Sequence, residues 1–309
     1  LGYWRSLQTG ATRHHPVAIP LPTSDSADHG QRACHRARTE GSCRRGFGGT
    51  HMKWSLLPLL ACAFCAPAHA GFVVGKANVE SRELREVANE LAKERFLEDI
   101  AVELDKALVV QPKLTLRLAE CGEANAYYDP DTKTIDLCLE LLTDLRESFA
   151  GAYESEDDVD DAVAGAFVFY LFHELGHALI DALELPVIGR EEDAADQLAA
   201  WVLIDADEGN QAVIDAATSF YGDEDDKVEV EETDFADEHG LDRQRYFNMV
   251  CWVYGSDPDA NEDLVDDGWL PEARADAAGA PPGRFVWLDA ARQPELLAAL
   301  FVADTAAHG

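Results

Sequence analysis

The sequence predicts an α+β fold with a small antiparallel or mixed sheet, and three patterns carry that expectation. Between 79 and 108 the residues Leu84, Val87, Leu91, Phe96, Ile100, Leu104 and Leu108 recur at helical spacing among charges. Strand-like runs follow at 113–119, 124–128 and 133–138. Beyond them only helical patterns and acidic loops remain.

Each element has a local reason. Pro112 ends the first helix, and Leu114, Leu116 and Leu118 then alternate with polar neighbours. Asp129-Pro130-Asp131 is a turn between two short strands, flanked by Cys121 and Cys138, so a disulfide across that hairpin is expected in an oxidising compartment. A helix at about 139–149 leads into an acidic linker, 154–161, whose carboxylates favour the start of the next helix. That helix, about 158–184, is apolar almost all round from Ala162 to Phe172 before it reaches His173. A membrane span is not expected there, because the apolar run is short and His, Glu and His follow at once. Pro186 and Gly189 break it, a helix at about 190–205 follows, and 209–301 reads as further helices with acidic loops at 223–234 and 256–267. Asp257-Pro258-Asp259-Ala260-Asn261 starts like a calcium loop, but Glu262 and Gly268 stand where Gly and Glu are needed, so a solvated acidic loop is expected. Cys251, in an apolar run, reads as a buried free thiol.

The 309 residues carry 25 Lys+Arg against 59 Asp+Glu, a net −34, which excludes a nucleic-acid binder working through a basic surface. A hydrophobic content of 47% is ample for a core, so the acidity is not that of a disordered tail. The charge is unevenly spread. Residues 1–51 hold seven Arg and three acids without apolar periodicity. At Met52 a Lys, a short apolar run and small residues at Ala68 and Ala70 have the layout of a secretory signal peptide cleaved before Gly71. Residues 1–51 are therefore expected to be untranslated upstream sequence or a disordered leader, with 52–70 the signal peptide. An exported, periplasmic or secreted protein is expected. A lipoprotein attached at Cys62, after Leu59-Leu60-Ala61, is the alternative. The remaining 71–309 carry 17 Lys+Arg and 56 Asp+Glu, a net −39.

His173-Glu174-Leu175-Gly176-His177 is an H-E-x-x-H motif. On a helix its two imidazoles share one face a turn apart and can hold one metal, with Glu174 beside them to reach a water. Catalytic zinc needs a third protein ligand and an open position. Glu191, Glu192 and Asp193 on the next helix could supply it. Glu192 is preferred, because Asp196 lies a turn further on and can accept the other N–H of a ligating histidine.

These residues resemble the gluzincin branch of the zincin metallopeptidases. They resemble more closely an uncharacterised bacterial metallopeptidase family with H-E-L-G-H followed by Gly-Arg-Glu-Glu-x-x-Ala-Asp. The resemblance covers about 80–275 and implies a zincin-like fold for the 71–309 domain, with an α+β lobe at about 79–184 and a helical lobe at about 190–301. It also implies His173, His177 and Glu192 as ligands of one zinc ion per chain, Glu174 as general base and acid, and Asp196 as support. The metzincin pattern is excluded, since its further Gly and His would fall on Ile180 and Leu183. In gluzincins an edge strand with an Asn-Ala-aromatic sequence pairs with the peptide. Asn125-Ala126-Tyr127-Tyr128 matches it, with the Asn125 amide available to a substrate backbone group. For the oxyanion donor the resemblance points to His239, with Tyr246 and Arg243 behind it. The expected function is zinc-dependent hydrolysis of a peptide or protein substrate. The alternative is an inactive metal-binding or interaction protein of the cell envelope on the same scaffold, and the oligomeric state stays open.

Overall fold

The computed structural model describes residues 71–204, 209–221, 232 and 234–278. The expected leader, signal peptide, Cys62, most of the 223–234 loop and everything after 278 lie outside them.

Four strands form one mixed sheet in the order β1-β2-β4-β3: β1 (Phe72–Val74), β2 (Leu114–Ala119), β3 (Ala126–Asp129) and β4 (Thr134–Cys138). β1, β2 and β4 are parallel neighbours, while among the described residues β3 pairs only with β4, antiparallel, with Ala126 opposite Leu137 and Asp129 opposite Thr134. The alternation read in β2 is kept, with Leu114, Leu116 and Leu118 all in the core. Across the other face Arg117 forks onto Asp136 of β4 with two hydrogen bonds of 2.6 Å. β1 escaped the sequence reading, since three residues are too few to show a period.

The single helix expected over 79–108 is two helices, α1 (Arg82–Lys93) and α2 (Phe96–Ala107). The break is at Arg95, whose φ of 60° is left-handed, and it reorients the chain so that Phe96, Leu97 and Ile100 enter the core. No Gly or Pro marks it. Ser81 caps α1, its Oγ accepting from the Leu84 N–H, while Glu120 accepts from the Glu80 and Ser81 N–H groups.

The β3–β4 hairpin turns on Asp129, whose carboxylate accepts from the Asp131 and Thr132 N–H groups. The expected disulfide between Cys121 and Cys138 is formed, and Glu140 accepts from the Cys121 and Gly122 N–H groups beside it. α3 (Glu140–Ser148) then leads to α4 (Glu156–Ala182), the 27-residue centre of the molecule. α4 starts inside the run expected as a linker. Ser155 caps it through the Asp158 N–H, and Glu156, Asp157 and Asp158 occupy its first turn, where the helix dipole favours them. By length and composition α4 could cross a membrane, yet 78% of its most apolar window is buried inside the fold.

Around α4 pack α5 (Glu191–Ile204) and α6 (Gly209–Ser219), followed by α7 (Asp242–Ser256), α8 (Asp263–Asp266) and α9 (Glu272–Ala278). Gly165 and Gly176 of α4 allow close approach. A Cβ on Gly165 would stand 3.2 Å from Ala212 Cα of α6, and one on Gly176 only 2.8 Å from Ala195 Cα of α5. The expected acidic loop 256–267 is more built than that reading allowed. It contains α8, and buried Asn261 donates to the Val253 and Asp257 carbonyls, tying the loop to the end of α7. Cys251 is free but only half-buried.

Closing the 121–138 loop is worth about 3 kcal/mol on the chain-entropy model. Cys121→Ser combined with Cys138→Ser should therefore lower the denaturation midpoint of the oxidised protein, and coincident unfolding curves would contradict that contribution.

Candidate metal centre

α4 presents His173, Glu174 and His177 on the flank that faces α5. Because Gly176 lets the two backbones nearly touch, Glu192 reaches both rings from the first turn of α5. His173 Nε2 lies 3.1 Å and His177 Nε2 3.3 Å from Glu192 Oε2, and the two Nε2 atoms are 3.3 Å apart. A tetrahedral ion bound at about 2.0–2.2 Å separates its ligand atoms by roughly 3.3–3.6 Å. The triangle is close to that size, and these three residues form the metal-competent group among the described residues.

The outer nitrogens settle the tautomers. His173 Nδ1 is 2.8 Å from Asp196 Oδ1 and His177 Nδ1 is 2.9 Å from Glu191 Oε1. An ionised carboxylate only accepts, so both Nδ1 atoms carry protons, and the Nε2 positions of neutral rings are lone pairs aimed at Glu192. Lone pairs and a carboxylate oxygen repel one another. The arrangement calls for a cation at its centre or for protons on the rings. Burial opposes charge on both histidines, but hydrogen bonds to the surrounding carboxylates outweigh it. They raise His173 and bring His177 up to about 9. Glu192 is pulled far below the usual carboxylate range by the same contacts, against its own burial.

Asp196 is buried and would be raised by that burial alone. His173 and Arg245 reverse the effect and hold it at about 2. Arg245, from α7, makes a two-pronged bond, Nε to Oδ2 at 2.9 Å and Nη2 to Oδ1 at 2.7 Å, and its guanidinium lies over the Phe220 ring. Sequence reasoning missed this residue. The available signal was its place at i, i+4, i+8 with Met249 and Val253, a buried stripe that a charge enters only with a partner.

The cleft over these groups has a volume of about 320 Å³, with β3 as one wall and Glu238 and His239 as the other. Glu174 lies at its base, buried, with its carboxyl raised chiefly by burial. The two histidines counter that shift, and so does the backbone of Tyr128 alongside. Tyr128 also donates its hydroxyl to Asp181 Oδ2 at 2.6 Å, and Lys133 Nζ bonds the same oxygen, clamping the hairpin to α4.

The other expected residues divide. Ala126 and Tyr127 lie on the edge strand in the cleft wall, Tyr127 partly exposed. Asn125 is there too, its Oδ1 accepting from the Ala126 N–H. His239 is brought in, its Nε2 2.9 Å from Glu192 Oε2. Tyr246 is not. It sits in the core with its hydroxyl donating to the Trp269 carbonyl, because one helical step from Arg245 turns it away from the cleft. Arg243 also points elsewhere, over the Tyr221 ring and onto the Tyr221 carbonyl.

Two outcomes follow. Gly176→Ala would push α5 off α4 at a cost of about 1–3 kcal/mol, so chelator competition should show metal binding weakened roughly ten- to a hundredfold; unchanged affinity would mean that the contact does not set the site. Protons must leave the raised histidines before metal enters, so affinity should climb with pH beyond the ordinary histidine range of about 6.5 and level off only near His177's value of about 9. A plateau by pH 7 would contradict that ordering.

Among known families, residues 77–280 match DUF4344, described as "putative metallopeptidase", while no curated protein and no solved structure matches the chain. The matched stretch covers more than half of the sequence and contains every residue of the cluster. The chain therefore belongs to the DUF4344 family.

Proposed function

We propose that the protein is an exported zinc peptidase of the zincin type, in the gluzincin branch, which hydrolyses peptide bonds with Glu174 as general base. The observation that carries this reading is the convergence of His173, His177 and Glu192 on one point, with Glu174 beside them and an edge strand alongside. Two nitrogens and one carboxylate oxygen, with room on the cleft side, are a donor set that suits zinc in a catalytic setting. Export is supported by the signal-like 52–70 and by the disulfide.

A zinc ion held by these three residues supplies Lewis acidity, polarising the scissile carbonyl and acidifying a water. The protein's own groups do the rest. An extended peptide lies along β3, whose outer edge has no strand partner among the described residues. The Glu174 carboxylate takes the proton of the attacking water and returns it to the leaving amine. Burial raises its pKa and so makes it the better base. Asp196 and Glu191 hold the imidazoles in the tautomer that leaves Nε2 free, and Arg245 fixes Asp196. His239, at the mouth of the cleft, donates to the oxyanion.

The test is cleavage of a peptide library by the purified protein, abolished by chelator and restored by zinc. Glu174→Gln should lose at least about 10²–10⁴ in rate and keep its zinc, whereas His239→Ala should lose about 10²–10³ in kcat, also with zinc retained. Undiminished cleavage by Glu174→Gln would sink the scheme.

A further inference from the structure

A second pocket, of about 600 Å³, lies behind the loop that carries His239, and its lining gathers Arg190, Arg243, Arg245 and Arg274 with Gln244, Asn248 and Asp193. In a chain with 25 basic residues against 59 acids, such a gathering of arginines runs against the composition. Arg245 is discharged by Asp196. The other three are held by neutral acceptors: Arg190 Nη1 donates to the His239 carbonyl at 2.6 Å, Arg243 Nη1 to the Tyr221 carbonyl at 3.1 Å, and Arg274 Nη2 to Asn248 Oδ1 at 2.9 Å. None of the three forms an ion pair with a carboxylate among the described residues. Among the described residues their guanidinium groups are oriented but not neutralised, and Asp193 is the one acid that lines the pocket. Arg243 and Gln244 also belong to the first turn of the 15-residue α7, whose dipole presents its positive end there.

We propose that this pocket binds an oxyanion, a carboxylate or tetrahedral anion gripped by Arg190, Arg243 and Arg274. Fixed guanidinium forks match such a group two oxygens at a time. The bound anion braces the 239–240 loop through Arg190 and so stiffens one wall of the metal cleft. The assignment holds whether or not the metal centre turns over peptides.

The test is calorimetric titration of the purified protein with sodium sulfate and, separately, with a capped triglutamate peptide, both at an ionic strength held constant with chloride. Saturable binding of either anion is expected, weakened about tenfold for each arginine removed, equivalent to about 1.4 kcal/mol. Sulfate binding alone identifies a free inorganic anion as the ligand, and binding of the peptide alone identifies an acidic chain. Arg190→Gln and Arg274→Gln alter exposed side chains and leave the fold's core untouched; Arg243→Gln also removes the contact with Tyr221 and serves as a third variant. Binding no stronger than chloride, or binding that persists unchanged in Arg190→Gln with Arg274→Gln, as it would if the anion sat at the metal centre, overturns the proposal.

Discussion

A carboxylate of one helix can meet two imidazoles of another only if the two backbones nearly touch, and the contact between Gly176 and Ala195 is what the site depends on. Any side chain at 176 would hold α5 away and leave Glu192 short of the rings. The glycine therefore matters less for its conformational freedom, which a helix interior does not need, than for the space it leaves. The same close approach lets Asp196, one turn further along α5, reach His173 from the other side. One residue without a Cβ thus sets both the inner and the outer partners of a buried histidine.

Electrostatics imposes the next requirement. Glu174 and Asp196 are buried and Glu192, beside them, is only partly exposed, and carboxylates so placed need compensation. Arg245 supplies one fixed positive charge from α7, 49 positions along the chain from Asp196, so α7 supports the site without lining the cleft. The histidines supply the rest, either as cations or by giving way to a metal. The raised His177 and the deeply lowered Glu192 are two sides of the same imbalance, which an ion at the centre would relieve.

Much of this was legible from residue order. His173, Glu174 and His177 stood out because the helix around them is otherwise apolar, and polar groups in such a place need a purpose. Glu192 could be chosen over its neighbours because Asp196 follows at helical spacing. The strands of the hairpin and its disulfide could be read because alternation, a turn and paired cysteines coincide there. What escaped was tertiary. Arg95 takes a left-handed conformation that no Gly or Asn announces, and β1 gains its identity only from pairing with β2. Tyr246 and Arg245 are adjacent in the chain, and only the phase of α7 against its neighbours decides which one serves the site and which one fills the core.

The disulfide reaches further than stability. It joins the loop before β3 to the end of β4, and β3 is the strand that walls the cleft beside Glu174. Reduction would remove the covalent tie at one end of that strand and leave it to backbone pairing, the Cys138 N–H donating to the Asn125 carbonyl, while the Lys133 and Tyr128 contacts with Asp181 kept the other. That end would then be less firmly held, and the alignment of anything paired with it would vary with the thiol balance of its surroundings. In this fold the redox state of the compartment is a term in how straight the cleft wall stands.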